Sequence, residues 1–406
     1  MAIVFFYPTI NKKLGGAQRL IITLAKCFND RNIDIKIIDH RTGYCSSFIS
    51  DLENVEFLNY STEAELKKLL HKLSINDTLI VFNTMYEKIR YYNGINCKLL
   101  FWDLLHSSMR GLFSTRLGDI PYISHKDRAT LFKRLCESNA LITLDTEGKK
   151  WIRNNCNESI PLIPLPITKP NPINLDDSII RNAVTYVGRA TFWKVTPIAK
   201  VMEDMYYNDV LLSFNIYTDD RIAFESGLKK LLDERLYQHY KNNIRYYENY
   251  IMEDIYELSK NDLIHFGMAS VAIEFAFQGF FTVNLDCSLD KFPSDYQYRY
   301  LFECGIEGSI CQTLNYTNDF IYRDKGKKIS EVYKDSVDTV TRSKIIYMSK
   351  KYAEKHHSVD SIVDSLIYYS NHTSLNSQHY FQFLEGLTSI KLLNLKDWMF
   401  KNKSFF

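Results

Sequence analysis

Asn261-Asp-Leu-Ile-His-Phe-Gly-Met-Ala-Ser-Val-Ala-Ile-Glu-Phe-Ala-Phe-Gln-Gly-Phe-Phe-Thr-Val-Asn-Leu-Asp286 is the stretch that decides the fold. Leu263 to Phe266 reads as a short buried strand, and Gly267 as the permissive residue at which the chain turns. Ala269 to Phe277 reads as a helix with Ser270 near its N-terminus. Gly279 ends it, and the aromatic and β-branched run from Phe280 to Leu285 reads as a second strand. Strand, glycine turn, helix and strand make a βαβ unit whose helix N-terminus points at whatever lies above the strand ends. Such an end carries roughly half a positive charge and unsatisfied amides, so it suits a phosphate. Glu274, one turn further in, is placed to accept two hydroxyl hydrogen bonds, as from a ribose. The competing expectation is an ordinary solvated helix glutamate.

Upstream of this unit stands Ala183-Val-Thr-Tyr-Val-Gly-Arg-Ala-Thr-Phe-Trp-Lys194. A strand ends at Gly188, Arg189 and Lys194 follow, and a helix is predicted over 198–207. Two cations just past a strand end suit a diphosphate, arginine as a fork and lysine as a point charge; the alternative is a plain surface pair. Strands over 211–217 and 244–247 and a helix over 252–258 complete a doubly wound pattern. The Asp219-Asp220 pair reads as capping or following a strand, not as a metal site. Beyond Ser288 the pattern turns helical, over 326–335, 344–356, 361–368 and 380–390. Residues 392–406 mix Leu, Trp, Met and Phe with Lys396, Lys401 and Lys403, which suits either an interfacial membrane helix or a tail packed on the first domain.

The first half alternates in the same way. Residues 2–7 form a buried strand, and Gly15-Gly16 leads into a helix whose apolar face is Leu20, Ile21, Leu24, Ala25 and Phe28. A Gly-Gly loop between strand and helix lets backbone amides approach a phosphate or sugar, although an ordinary tight turn has the same sequence. Strands near 35, 55, 78, 98 and 141 continue the pattern. In Leu99-Leu-Phe-Trp-Asp-Leu-Leu-His-Ser-Ser108 the strand ends near Trp102. Asp103 and His106 therefore lie beyond its C-terminal end, the edge at which open α/β sheets bind ligands. A structural histidine is the alternative for His106. Five of the nine prolines fall in 160–172, a stiff extended connection with a domain boundary near 168. The expected domains are 1–168, 169–370 and a C-terminal segment, 371–406, packing back on the first.

At 406 residues the chain has room for two domains, and 46% hydrophobic with 24% charged residues makes it globular rather than disordered. A net charge of +2 gives no electrostatic footprint for nucleic acid. Eight cysteines stand singly, with no Cys-x-x-Cys pair or zinc spacing, as small core residues of a reduced cytoplasmic protein would. No secretory leader and no apolar run of 18 residues is read.

These positions together resemble retaining glycosyltransferases of the GT-B fold, similar to glycosyltransferase family 4 and to its bacterial surface-polysaccharide (O-antigen or capsule) branch. Gly15-Gly16-Ala-Gln resembles the family's Gly-Gly-x-Glu loop, with Gln18 for the usual Glu. His106 corresponds to a histidine facing the donor sugar. Val187-Gly-Arg189 with Lys194 matches a Gly-Arg-x(4)-Lys motif whose cations hold the donor diphosphate. Glu274-Phe-Ala-Phe-Gln-Gly279 matches the second half of a paired-glutamate motif; Phe266 stands where the first Glu would fall, and Val195 where a Gly follows the Lys. The resemblance implies two Rossmann-like doubly wound α/β domains facing a central cleft, with a helical C-terminal segment. It implies His106, Arg189 and Lys194 as catalytic residues and Gly15, Gly16, Ala269, Ser270 and Glu274 as donor-binding ones. It also implies no metal and no cofactor beyond a nucleotide-sugar donor, and a saccharide or polyprenyl-diphosphate-linked acceptor met at the inner face of the cell membrane. A sugar-nucleotide epimerase of the same fold and a non-catalytic sugar-nucleotide or polysaccharide binder are the competing expectations.

Overall fold

The computed structural model describes residues 2–6, 16–43, 45–82, 89, 94–104, 116–117, 120–121, 125–144, 146–174, 180–288, 292–304, 310, 314 and 326–387. The chain divides into two compact units, Met1–Pro166 with Val359–Phe406, and Ile167–Ser358.

The first unit is built on β1 (Ile3–Phe6), β2 (Ile35–His40), β3 (Val55–Tyr60), β4 (Thr78–Phe82) and β5 (Lys98–Asp103). A short antiparallel pair, β6 (Arg116–Leu117) and β7 (Ile120–Pro121), precedes β8 (Leu141–Thr143). The six longer strands make one parallel sheet in the order β3-β2-β1-β4-β5-β8. Every residue of β1 and β4 is buried, as expected of strands covered on both faces. Alternate side chains serve two cores. Val4, Phe6, Leu79, Val81 and Phe101 share one with Leu66, Leu131 and Tyr380; Phe5, Ile80, Phe82 and Trp102 share the other with Leu24, Phe28 and Leu366.

The chain returns to this unit at Val359, not at 371. Helix Val359–His372 buries Ile362, Val363 and Leu366 in the second of these cores. The Leu99 amide then donates to the Leu375 carbonyl at 2.9 Å, and helix Ser377–Gly386 sets Tyr380 against Phe101. Residues 388–406 lie outside the described residues, and with them the whole of 392–406, the tail expected either at a membrane interface or packed on the first domain.

The second unit contains β9 (Arg181–Val187), β10 (Ser213–Tyr217), β11 (Ile244–Tyr247), β12 (Asp262–Gly267), β13 (Thr282–Asn284) and β14 (Arg299–Tyr300). Their order is β11-β10-β9-β12-β13-β14, parallel except for β14 against β13. Both sheets therefore show the doubly wound order in which the winding reverses beside the first strand, between β9 and β12 in this unit. Ligands of such sheets bind beyond the strand C-termini at that reversal. The proline run is held by short contacts: the Ile163 amide donates to Thr143 at 2.8 Å and the Ile167 amide to His357 at 2.9 Å. Among the described residues no helix is long and apolar enough to cross a membrane.

Candidate functional site

The reversal brings the ends of β9 and β12 side by side, with Tyr186 paired to Phe266 in parallel register. Beyond β9 the chain passes Gly188 and Arg189 and enters helix Phe192–Tyr207. This helix begins six residues before the sequence expectation, because Pro197 lies inside it and does not start it. Lys194 is thus a first-turn residue, half-buried, its ammonium 4.7 Å from the centre of the Trp193 ring. Arg189 is exposed, and among the described residues it has no ion-pair partner. Two buried cations of the unit are paired: Arg299 with Asp286 at 2.5 Å, and Lys200 with Asp204 at 2.8 Å.

Beyond β12 the chain enters helix Ser270–Gln278. Gly267 serves here by close approach, not by an unusual turn. A Cβ on it would lie 2.6 Å from the Ala272 nitrogen, so only glycine lets the first turn of the helix sit against the strand end. Gly279 closes the helix at φ +83°, as expected of a left-handed C-cap. Neither this helix nor Phe192–Tyr207 has a side-chain cap or an acidic residue in its first turn. Both helix starts therefore keep the positive end of their dipole unopposed by a side-chain cap or a first-turn carboxylate, the kind of end that suits an anion.

Glu274 is buried, not solvated, and the Tyr256 hydroxyl donates to its carboxylate at 3.0 Å. Tyr256 comes from helix Met252–Ser259, after β11. The Asp219-Asp220 pair is occupied by backbone amides: Ala190, next to Arg189, donates to Asp219 at 2.8 Å, and Ala223 to Asp220 at 2.9 Å. Asp219 therefore holds the arginine loop from the neighbouring strand. His265 is a core residue, stacked on Phe280, and Phe266 is buried against Tyr298.

Arg189, Lys194, Ala269, Ser270 and Glu274 thus belong to the C-terminal side of one sheet reversal. Gly16 opens helix Gly16–Asp30 in the other unit, while Gly15 and His106 lie outside the described residues. Sequence reading missed Tyr186 and Tyr256. A tyrosine buried in a strand or helix looks the same in sequence whatever its hydroxyl touches.

No protein-family model and no curated protein matches the chain. Solved structures do. HepE of Anabaena, in complex with UDP and glucose, superposes with a TM-score of 0.59 at 12% identity, over 91% of this chain and 98% of that one. The chain has the GT-B fold. A TarM variant of S. aureus in complex with fondaparinux, α-GlcNAc-glycerol and UDP gives 0.58 at 11% identity, over 91% of this chain and 100% of the other. A glycosyltransferase of Rickettsia africae gives 0.58 at 13%, over 92% and 98%. At such identities the likeness is one of architecture: two GT-B sheets with their helices, followed by a helical C-terminal segment.

Proposed function

We propose that the chain is a glycosyltransferase. It moves a sugar from a nucleotide-sugar donor to a saccharide or lipid-linked saccharide acceptor, with retained configuration and without a metal, in bacterial surface-polysaccharide synthesis. The observation that carries this reading is the pair of uncapped helix N-termini at the β9–β12 reversal, with Arg189 and Lys194 beside them. Cations at a helix N-terminus oppose its dipole, so a bound dianion is the arrangement that makes them favourable. The GT-B neighbours in complex with UDP support the same choice of ligand.

Loss of a diphosphate from a sugar passes through an oxocarbenium-like state, and charge builds on the leaving phosphate. Arg189 as a fork, Lys194 as a point charge and the amides at Ala269–Ser270 stabilise that charge. Removing one such preorganised partner costs about 3 kcal/mol in the transition state. Glu274 positions the nucleotide through the ribose hydroxyls. By resemblance, the Gly15-Gly16 loop joins Arg189 and Lys194 in stabilising the leaving phosphate, His106 holds the sugar, and the acceptor hydroxyl attacks from the face the diphosphate leaves. The working place is the cytoplasm, at the inner membrane face when the acceptor is lipid-linked.

A thermal-shift screen of UDP-, GDP-, CMP- and dTDP-sugars tests the reading. One donor class is expected to stabilise the wild type, and Arg189→Ala and Glu274→Ala to abolish most of the shift. No shift with any nucleotide refutes the proposal, and a shift surviving both substitutions moves the site elsewhere. Phe266, buried where a carboxylate would touch the sugar, favours one rival, a non-catalytic binder. That rival predicts stabilisation without nucleotide release when acceptor is added.

A further inference from the structure

Tyr186 is fully buried in β9, its ring 6.2 Å from that of Phe224. A phenylalanine would fill this space equally, so the hydroxyl answers some other need. It donates to the Lys194 carbonyl at 2.6 Å and lies 3.6 Å from the sulfur of Met268, the residue before Ala269. One phenol thus touches both segments that carry the anion site. Its bond to Lys194 compensates for a local defect. Pro197 has no N–H to give the Trp193 carbonyl, so the turn holding Lys194 lacks one of its helical hydrogen bonds. The phenol tethers that turn one residue further on. Space for it depends on Gly188, where a Cβ would lie 2.6 Å from the hydroxyl oxygen.

We infer that Tyr186 is a positioning residue for the donor diphosphate, holding the Lys194 turn in register with the Met268–Ser270 turn; this rests on the nucleotide-sugar reading above. Tyr186 touches no ligand and acts through Lys194. Removal of its hydroxyl then weakens diphosphate recognition specifically, while groups that hold the nucleoside are unaffected.

Calorimetric titration of the full chain with UDP and UMP tests this, or with GDP and GMP if the screen selects guanine. In Tyr186→Phe the ratio of diphosphate to monophosphate affinity is expected to fall roughly tenfold, about 1.4 kcal/mol. Lys194→Met lowers the same ratio, and the double variant loses no more than Lys194→Met alone, because the two residues act as one unit. A purely structural tyrosine would lower the melting temperature and leave the ratio unchanged, which overturns the inference; losses that simply multiply in the double variant overturn it too. Should Tyr186→Phe fail to fold, hydrogen exchange on the wild type decides instead: UDP but not UMP is expected to protect the Lys194 turn and the Met268–Ser270 turn together, and protection of one turn without the other overturns the inference. A wild type that binds no nucleoside diphosphate removes the glycosyltransferase reading and this inference together. Wild-type binding with an unchanged ratio in the variants removes the inference alone.

Discussion

Ala269 has φ +51° and ψ −122°, the first central position of a type II′ turn, where glycine is the usual occupant. An alanine there stores on the order of 1–3 kcal/mol of backbone strain. The strain sits at the N-cap of the helix proposed to meet the diphosphate, which suits an amide fixed in advance of its ligand. Ala269→Gly should therefore raise stability by about 1 kcal/mol, offset in part by the freer unfolded chain, and weaken nucleotide binding. Paired denaturation and titration measurements check both signs. His265, four residues before, is sealed between Phe280 and Phe275, with Nε2 3.0 Å from the Ser259 carbonyl. Nε2 therefore carries the hydrogen and donates it. Burial, helped by the charge of Arg342, lowers the imidazole pKa from 6.5 to about 3. The unfolded state then binds the proton first as pH falls. The contribution is full above pH 6.5 and is lost progressively down to about 3, worth roughly 4–5 kcal/mol in all. His265→Gln should flatten the stability profile over that interval, as measured by urea unfolding at stepped pH.

Three strands of the second sheet are fastened together by one carboxylate. Asp262 opens β12 fully buried, and it accepts from Thr185 of β9 at 2.5 Å and Asn215 of β10 at 2.8 Å, with Arg181 at 2.9 Å. Burial raises its pKa against the pull of these donors. Asp262→Ala leaves the buried Thr185 hydroxyl and the Asn215 amide without this acceptor, while Arg181 keeps the Leu258 carbonyl, and should cost about 3 kcal/mol of unfolding free energy, read as a lower urea midpoint. The carboxylate stands at the strand start, the opposite end of β12 from Ala269. The element carrying it was legible in sequence: β12, its helix and β13 alternate apolar runs with glycines, and burial on both faces leaves that pattern little else to be. Helix Arg221–Leu231 escaped notice because it buries only Phe224 and Leu228 and leaves Ile222 81% exposed. It and the next helix start on Asp220 and Asp233, whose carboxylates accept from amides three residues on. Helix Phe192–Tyr207 looks shorter in sequence than it is because proline usually marks a first turn, whereas Pro197 lies inside this one. Arg189, Lys194 and Glu274 could be nominated as donor-site candidates because cations past a strand end and a glutamate one turn into a helix have fixed spacings. The tyrosines that position them have none.

At the scale of the whole chain, each buried cluster of the described residues draws on one unit. Val4, Phe5, Phe101, Trp102, Leu366 and Tyr380 belong to clusters that share no residue with those of Ile198, Phe214, Phe266 and Phe275. Each unit thus has its own stock of buried apolar surface, and the chain passes between them only at Pro166–Ile167 and Ser358–Val359. Heating should therefore give two calorimetric transitions rather than one. The proposed donor contacts that the structure describes at the β9–β12 reversal all lie in Ile167–Ser358. Nucleotide at 100 times its dissociation constant adds about 2.7 kcal/mol to whatever binds it. For a unit of this size that is a rise of roughly 5–10 °C. The rise should appear in one transition and spare the other, and hydrogen exchange should report protection gained by the Phe192–Tyr207 and Ser270–Gln278 helix starts. Equal upward shifts of both transitions would mean that the ligand's main contacts are not confined to the second unit, and the weight given to Arg189 and Lys194 would have to be shared with Gly15, Gly16 and His106.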